Sequence, residues 1–218
     1  MTLPKKGIII AVFVLVIIAA LMAMRSNSNI VSIGTRLNVS AAALSSVFSG
    51  YNISTVTSKY EVFSGTLKSE GYVSASDEVF SANNESNKLL VSLILMQYSN
   101  SSGPKYPLSE ELSLTKGGPK RSGSYFSIVG VENYSHFGLI VPIYEILDIG
   151  VLNLTTVNRS LGSGLPVMPY YQFTSMFAYG NYYGSATVNG YYNSSTFANA
   201  SMRLAEYVIN RIPAAKND

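Results

Sequence analysis

The sequence predicts a mainly β domain, a β-sandwich or an open barrel-like sheet, with an extended strand at its start and one helix at its end. Three observations carry this expectation. At least six segments alternate apolar with polar residues, or are apolar on both faces, and turn-forming residues separate them. Only one stretch, close to the C-terminus, repeats its apolar residues at three- and four-residue steps. The dipeptide Asn189-Gly190, a strong signal for a two-residue hairpin, sits between two aromatic-rich segments.

Taken in order, the chain begins with Lys5 and Lys6 ahead of an uncharged apolar run that ends at Met24, before Arg25. From Ile8 to Met24 this run has 17 residues, the lower limit for crossing a bilayer as a helix. It reads as a signal peptide to be cut or an anchor to be kept; Ala23, Ser26 and Ser28 are small, but no A-x-A pattern marks a cut. In both cases the basic flank puts residues 25–218 on the outer face of the membrane. The expected organisation is a signal or anchor over residues 1–28, an extended strand and spacer over 29–49, and a β-rich head over 50–218.

Val31, Ile33, Thr35, Leu37 and Val39 alternate with Ser32, Gly34, Arg36, Asn38 and Ser40, the period of a strand with one buried face. Ala41 to Ser49 follows as a spacer or short helix. Strands are expected near Tyr51 to Thr57 and Tyr60 to Leu67, and Lys88 to Tyr98, apolar on both sides, is expected to be central and covered twice. Ser99 to Ser124, with its Gly-Pro pairs and lysines, reads as a long exposed loop. Strand signals resume at Tyr125 to Val131, Phe137 to Ile149 and Val151 to Val157, with Pro142 pushing its strand toward an edge or bulge. The hairpin around Asn189-Gly190 would join Tyr182–Val188 to Tyr191–Phe197. In the final helix, Phe197, Ala200, Leu204, Val208 and Ile212 share one face, Ser195 or Thr196 caps the start and Pro213 ends it.

Composition narrows the function classes. The chain of 218 residues has no cysteine, so no disulfide, thiol nucleophile or cysteine-bound metal is available. Charged residues make up 12%, about half the usual share. With 15 basic and 12 acidic residues, protonating every carboxylate takes the net charge from +3 to +15, a surface suited to strong acid. The bases are spread along the chain, which argues against a nucleic-acid partner. His136 is the single histidine and reads as a surface-turn residue; Asp77-Glu78 and Glu110-Glu111 read as solvated charge. Ser113-Leu114-Thr115-Lys116 matches S-x-x-K but lies in the expected loop, and Gly162 and Gly164 lack the frame of a nucleotide site. No catalytic residue, metal ligand or cofactor is expected. Nine aromatic residues between Tyr170 and Tyr192 fit cross-strand pairing over a core, or exposed rings that bind sugar.

The strongest functional signal is the set of Asn-x-Ser/Thr triplets at Asn38, Asn52, Asn84, Asn100, Asn133, Asn153, Asn158, Asn193 and Asn199. With 17 Asn and 43 Ser or Thr in 218 residues, chance gives roughly three such triplets. Nine is an excess, and N-linked glycans at these positions are expected.

A signal-like N-terminus, an alternating strand behind it, a cysteine-free β-rich head and dense glycosylation triplets resemble the archaeal thread filament subunits of thermoacidophiles. The resemblance implies an extracellular cell-surface filament for adhesion or biofilm formation, in which identical subunits join head to tail by donor-strand complementation. The donor strand would then be Val31 to Ser40, with Val31, Ile33, Leu37 and Val39 in the neighbour's groove. Two alternatives stay open. Lys5-Lys6-Gly7 before an apolar helix resembles the signal of a type IV-like pilin, and a retained segment over residues 8–24 would make a membrane-anchored surface glycoprotein acting as a binding module.

Overall fold

A computed structural model describes residues 36–115, 125–152, 168–191 and 194–213. The chain divides into two compact units, Met1–Ile33 and Gly34–Asp218, and the described residues all belong to the second. Its strands are β1 (Asn52–Val62), β2 (Tyr72–Asn83), β3 (Lys88–Tyr98), β4 (Tyr125–His136), β5 (Leu139–Leu152), β6 (Met168–Tyr179) and β7 (Tyr182–Gly190). Its helices are α1 (Ala41–Leu44), α2 (Gly65–Ser69), α3 (Lys105–Thr115) and α4 (Ser195–Ile209). The fold is mainly β, as expected, and the strands form one open antiparallel sheet in the order β1-β2-β3-β7-β6-β5-β4. Two meanders, β1 to β3 and β4 to β7, meet along β3 and β7. β1 and β4 are therefore the two edges.

One face of the sheet is dry. Leu89, Val91, Leu93 and Leu95 of β3 line up with Phe80 and Ala82 of β2, Ala186 and Val188 of β7, and Phe173 and Phe177 of β6. α4 lies over this face through Phe197, Ala200, Leu204 and Val208, with Ile212 just beyond its end. All five residues expected on the apolar side of the final helix are thus buried. The cap is Ser194, one residue ahead of the expected pair; its hydroxyl accepts from the Thr196 amide, taking up one of the open N–H groups of the first turn.

The other face is only partly covered. α3 sets Leu108 and Leu112 against Tyr98, Ile146, Met176 and Tyr183 at one end. Farther along, Ser92, Thr187, Thr174 and Gln172 occupy this face, and Thr174 bonds Thr187 at 3.1 Å. Double coverage of Lys88 to Tyr98 is therefore corrected, because Leu90 on the second face is exposed.

Other expectations are also corrected. Residues 36–40 form no strand. Tyr51 to Leu67 holds one strand, β1, and the short helix α2 instead of two strands. Part of the expected loop Ser99 to Ser124 is α3, entered through an Asn100 turn in which Oδ1 accepts from the Ser102 and Gly103 amides. Pro107 is the third residue of α3, where its missing N–H breaks no helical bond. The last hairpin turns at Gly180-Asn181, not at Asn189-Gly190. Gly180 has φ +54°, the positive first position of a type II′ turn. Asn189 stays in the ladder opposite Leu90 and Gln172. Gly190 serves close packing: a Cβ there would come 2.9 Å from Leu89 Cδ2 and 3.1 Å from Phe197 Cε2. The strand expected at Val151 to Val157 reaches Leu152 as the end of β5, and residues 153–157 lie outside the described residues. Pro142 precedes Tyr144, where pairing with β6 starts, so it sits where β5 is paired with β4 alone.

Candidate functional site

The segment ahead of β1 crosses the dry face. Leu37 and Val39 are buried there beside Leu44 and Phe48, in the same core as α4. Lacking a strand partner, the segment has its amides met by side chains: Leu37 N–H donates to Ser76 Oγ at 3.2 Å and Val39 N–H to Glu78 Oε1 at 3.3 Å. Arg211, stacked 3.6 Å over the Tyr207 ring, donates from Nε to the Leu37 carbonyl at 3.2 Å. Ser40 then caps α1 by accepting from the Ala43 amide. Of the expected donor residues, Leu37 and Val39 therefore fill a groove of their own domain, while Val31 and Ile33 lie outside the described residues.

The same anchoring explains two polar residues in the core, Ser76 and Glu78, while Ser74 donates to Gln97 Oε1 at 3.3 Å. Ser74, Ser76 and Glu78 of β2 are buried on the dry face, and Asp77 points the other way. Under α4, Ser201 Oγ lies 2.8 Å from Ser175 Oγ and 3.2 Å from Glu145 Oε1. Burial raises the Glu145 carboxyl above its ordinary value, against the lowering effect of the Ser201 bond. His136, expected on a surface turn, is instead the last residue of β4. It is buried against Tyr179, and its Nε2–H donates to the Ile212 carbonyl at 2.9 Å. Ser113 sits in a helix and bonds the Glu110 carbonyl, while Lys116, Gly162 and Gly164 lie outside the described residues. Of the aromatic cluster, Phe173, Phe177, Tyr179, Tyr182 and Tyr183 are buried and Tyr191 is exposed. Among the described residues no three His, Asp or Glu side chains gather where they could hold a metal ion. No described helix is long and apolar enough to cross a membrane.

Asn38, Asn52, Asn84, Asn100, Asn133 and Asn199 are all exposed; Asn153, Asn158 and Asn193 lie outside the described residues. Two of the six mark the borders of the sheet, Asn52 on β1 and Asn133 on β4. Asn84 and Asn100 head turns in which Oδ1 accepts backbone amides, so these turn bonds use Oδ1 and not Nδ2, the atom a glycan takes. Asn199 differs from the rest because Ser201, the hydroxyl of its triplet, is buried under α4.

A shallow depression of about 510 Å³ opens at the end of the sheet where β3 begins and β7 ends, lined by Lys88, Leu90, Gln172, Asn189 and Tyr191 among others. The chain enters at the opposite end, since it runs past Ser76 before Glu78 on its way along β2.

No family model matches the chain, and no curated protein matches it. Among solved structures it is similar to the extracellular domain of PknH from Mycobacterium tuberculosis, at 8% identity and a TM-score of 0.48, over 79% of this chain and 92% of that one. The likeness carries no functional argument.

Proposed function

We propose that the chain is an N-glycosylated surface domain, held on the outer face of a membrane by its N-terminal apolar segment and acting as a binding module without catalysis of its own. The observation that carries this reading is the exposure of all six described triplet asparagines, with one on each edge strand. An open sheet edge is a template for another chain, and bulky or polar groups on it prevent pairing. Glycans at Asn52 and Asn133 would guard both edges and keep the domain from polymerising through its strands. The depression beside Tyr191 faces away from the entry end; its exposed ring and its amides at Gln172 and Asn189 suit a neutral sugar.

The filament reading retains one supporting observation, the two open edges. Its donor residues would have to lie ahead of Arg36, because Leu37 and Val39 already fill their own core. Glycopeptide mapping of the protein from its native membrane tests the choice. The tethered reading expects sugar at Asn52 and Asn133; bare asparagines at both edges in protein recovered as fibres would favour the filament.

A further inference from the structure

We infer that the depression beside Tyr191 is a subsite for a 2-acetamido sugar, a pyranose carrying one N-acetyl group. The inference deepens the binding-module reading and rests on it. Leu90, Asn189 and Gln172 stand in register on β3, β7 and β6 and line the depression together. Adjacent strands lie about 4.8 Å apart, so this row offers one ring and one substituent a bed about 10 Å wide. Leu90 is 45% exposed, although it stands between two polar residues, Ser81 and Asn189, on the neighbouring strands. Gln172 donates from Nε2 to Thr174 Oγ1 at 3.3 Å, which leaves its Oε1 as an acceptor. The Asn189 side-chain amide is half-buried and meets no hydrogen-bond partner among the described residues, so water or a ligand must satisfy it.

These groups select among sugars. A secondary amide presents its N–H and its C=O in opposite directions and needs one acceptor and one donor, which Gln172 Oε1 and Asn189 Nδ2 supply from adjacent strands. The acetyl methyl then falls on Leu90, where a plain hexose would set a hydroxyl against an apolar side chain. Tyr191, 42% exposed, offers its ring to the apolar face of the pyranose. Lys88 is the one charged residue among those lining the depression, too little to define a site for an acidic sugar. Such a sugar has two sources, a foreign glycan or the chain's own glycan at Asn84. Asn84 follows Asn83, which pairs with Lys88, so it stands beside the depression.

The test titrates full-length protein, made without glycosylation and held in a sugar-free detergent, with N-acetylglucosamine, glucose and glucuronic acid, read by saturation-transfer NMR. N-acetylglucosamine should bind with a Kd of about 1–10 mM, as one ring in an open site does. Glucose, lacking the amide bonds and the methyl contact, should bind about tenfold more weakly. Leu90→Ser and Asn189→Ala should weaken N-acetylglucosamine and leave glucose unchanged, and Tyr191→Ala should weaken both without lowering the melting temperature. Equal affinity for the two sugars, or N-acetylglucosamine binding indifferent to Leu90→Ser and Asn189→Ala, overturns the acetamido subsite and leaves the neutral-sugar reading standing. A preference for glucuronic acid that Lys88→Gln abolishes overturns it in favour of an acidic sugar. Binding of none of the three overturns the subsite and the sugar-binding part of the module reading together. Glycosylated protein from the native membrane then separates the sources. Exclusion of free N-acetylglucosamine by the native chain but not by Asn84→Gln supports the subsite with the chain's own glycan in it, and equal binding by both supports it with a foreign one.

Discussion

The two faces of the sheet are covered by different means, and the difference explains what each contributes. The dry face is closed by elements from both ends of the described chain, α4 and the segment from Leu37 to Phe48, so it ties residues 174 positions apart through the Arg211 bond to Leu37. Among the described residues the second face is closed by α3, which comes from between β3 and β4, over Tyr98, Ile146, Met176 and Tyr183. Stability is thus concentrated on one side, while the other carries a half-buried polar row of Ser92, Thr187, Thr174 and Gln172.

The largest effects should come from the dry face. Leu204→Ala, at a fully buried position, is expected to cost about 2–5 kcal/mol in chemical denaturation. Leu112→Ala, under the half-buried α3, should cost about 1 kcal/mol. Equal losses would show that the faces do not differ in the way described.

Leu37→Asp sharpens the contrast between a segment that belongs to its own domain and one meant for a neighbour. At 1% exposure Leu37 has no room for a charge, so the variant should unfold or melt far lower. Soluble, fully stable heads that merely fail to assemble would restore the donor-strand mechanism. Glu78→Ala, which strips the partner from the Val39 amide, should cost about 1–3 kcal/mol in the same denaturation assay.

The dry face was the more legible in sequence. The final helix and β3 announce themselves by period, and every residue expected on the helix's apolar side is buried. β2 gave no strand signal because three of its inward positions are Ser74, Ser76 and Glu78, two of which bond the crossing segment. The alternation of residues 31–40 suggested a strand, yet at its described end Leu37 and Val39 are buried as side chains of a strap without a ladder. α3 was hidden by Gly103, Pro104 and Pro107, all of them compatible with a helix start. Asn189-Gly190 imitated a turn because Gly190 is demanded by packing against Leu89 and Phe197. The exposure of the triplets could only be expected, since sequence periodicity in loops carries no burial signal.

A smaller effect concerns pH. Burial raises the carboxyls of Glu61, Asp77, Glu111, Glu145 and Glu206 above their ordinary values, opposed in part by Lys59 at Glu61 and Asp77 and by Arg203 at Glu206. A group that holds its proton more tightly folded than unfolded stabilises fully below its unfolded value and loses that contribution as pH rises through the folded one. The melting temperature should therefore rise from pH 7 down toward the ordinary carboxylate range near 4. A fall over that interval, at constant ionic strength, would contradict the assignment. Among the glycosylation sites, Asn199 should show the lowest occupancy by glycopeptide mass, since folding buries the Ser201 hydroxyl of its triplet.

The central claim, a tethered surface domain, is tested most directly by the N-terminal sequence of the protein extracted from its native membrane. The account predicts a chain beginning at Met1 or Thr2, with the apolar run from Ile8 to Met24 retained. A mature chain beginning between Ala23 and Asn29, recovered as filaments, would contradict it.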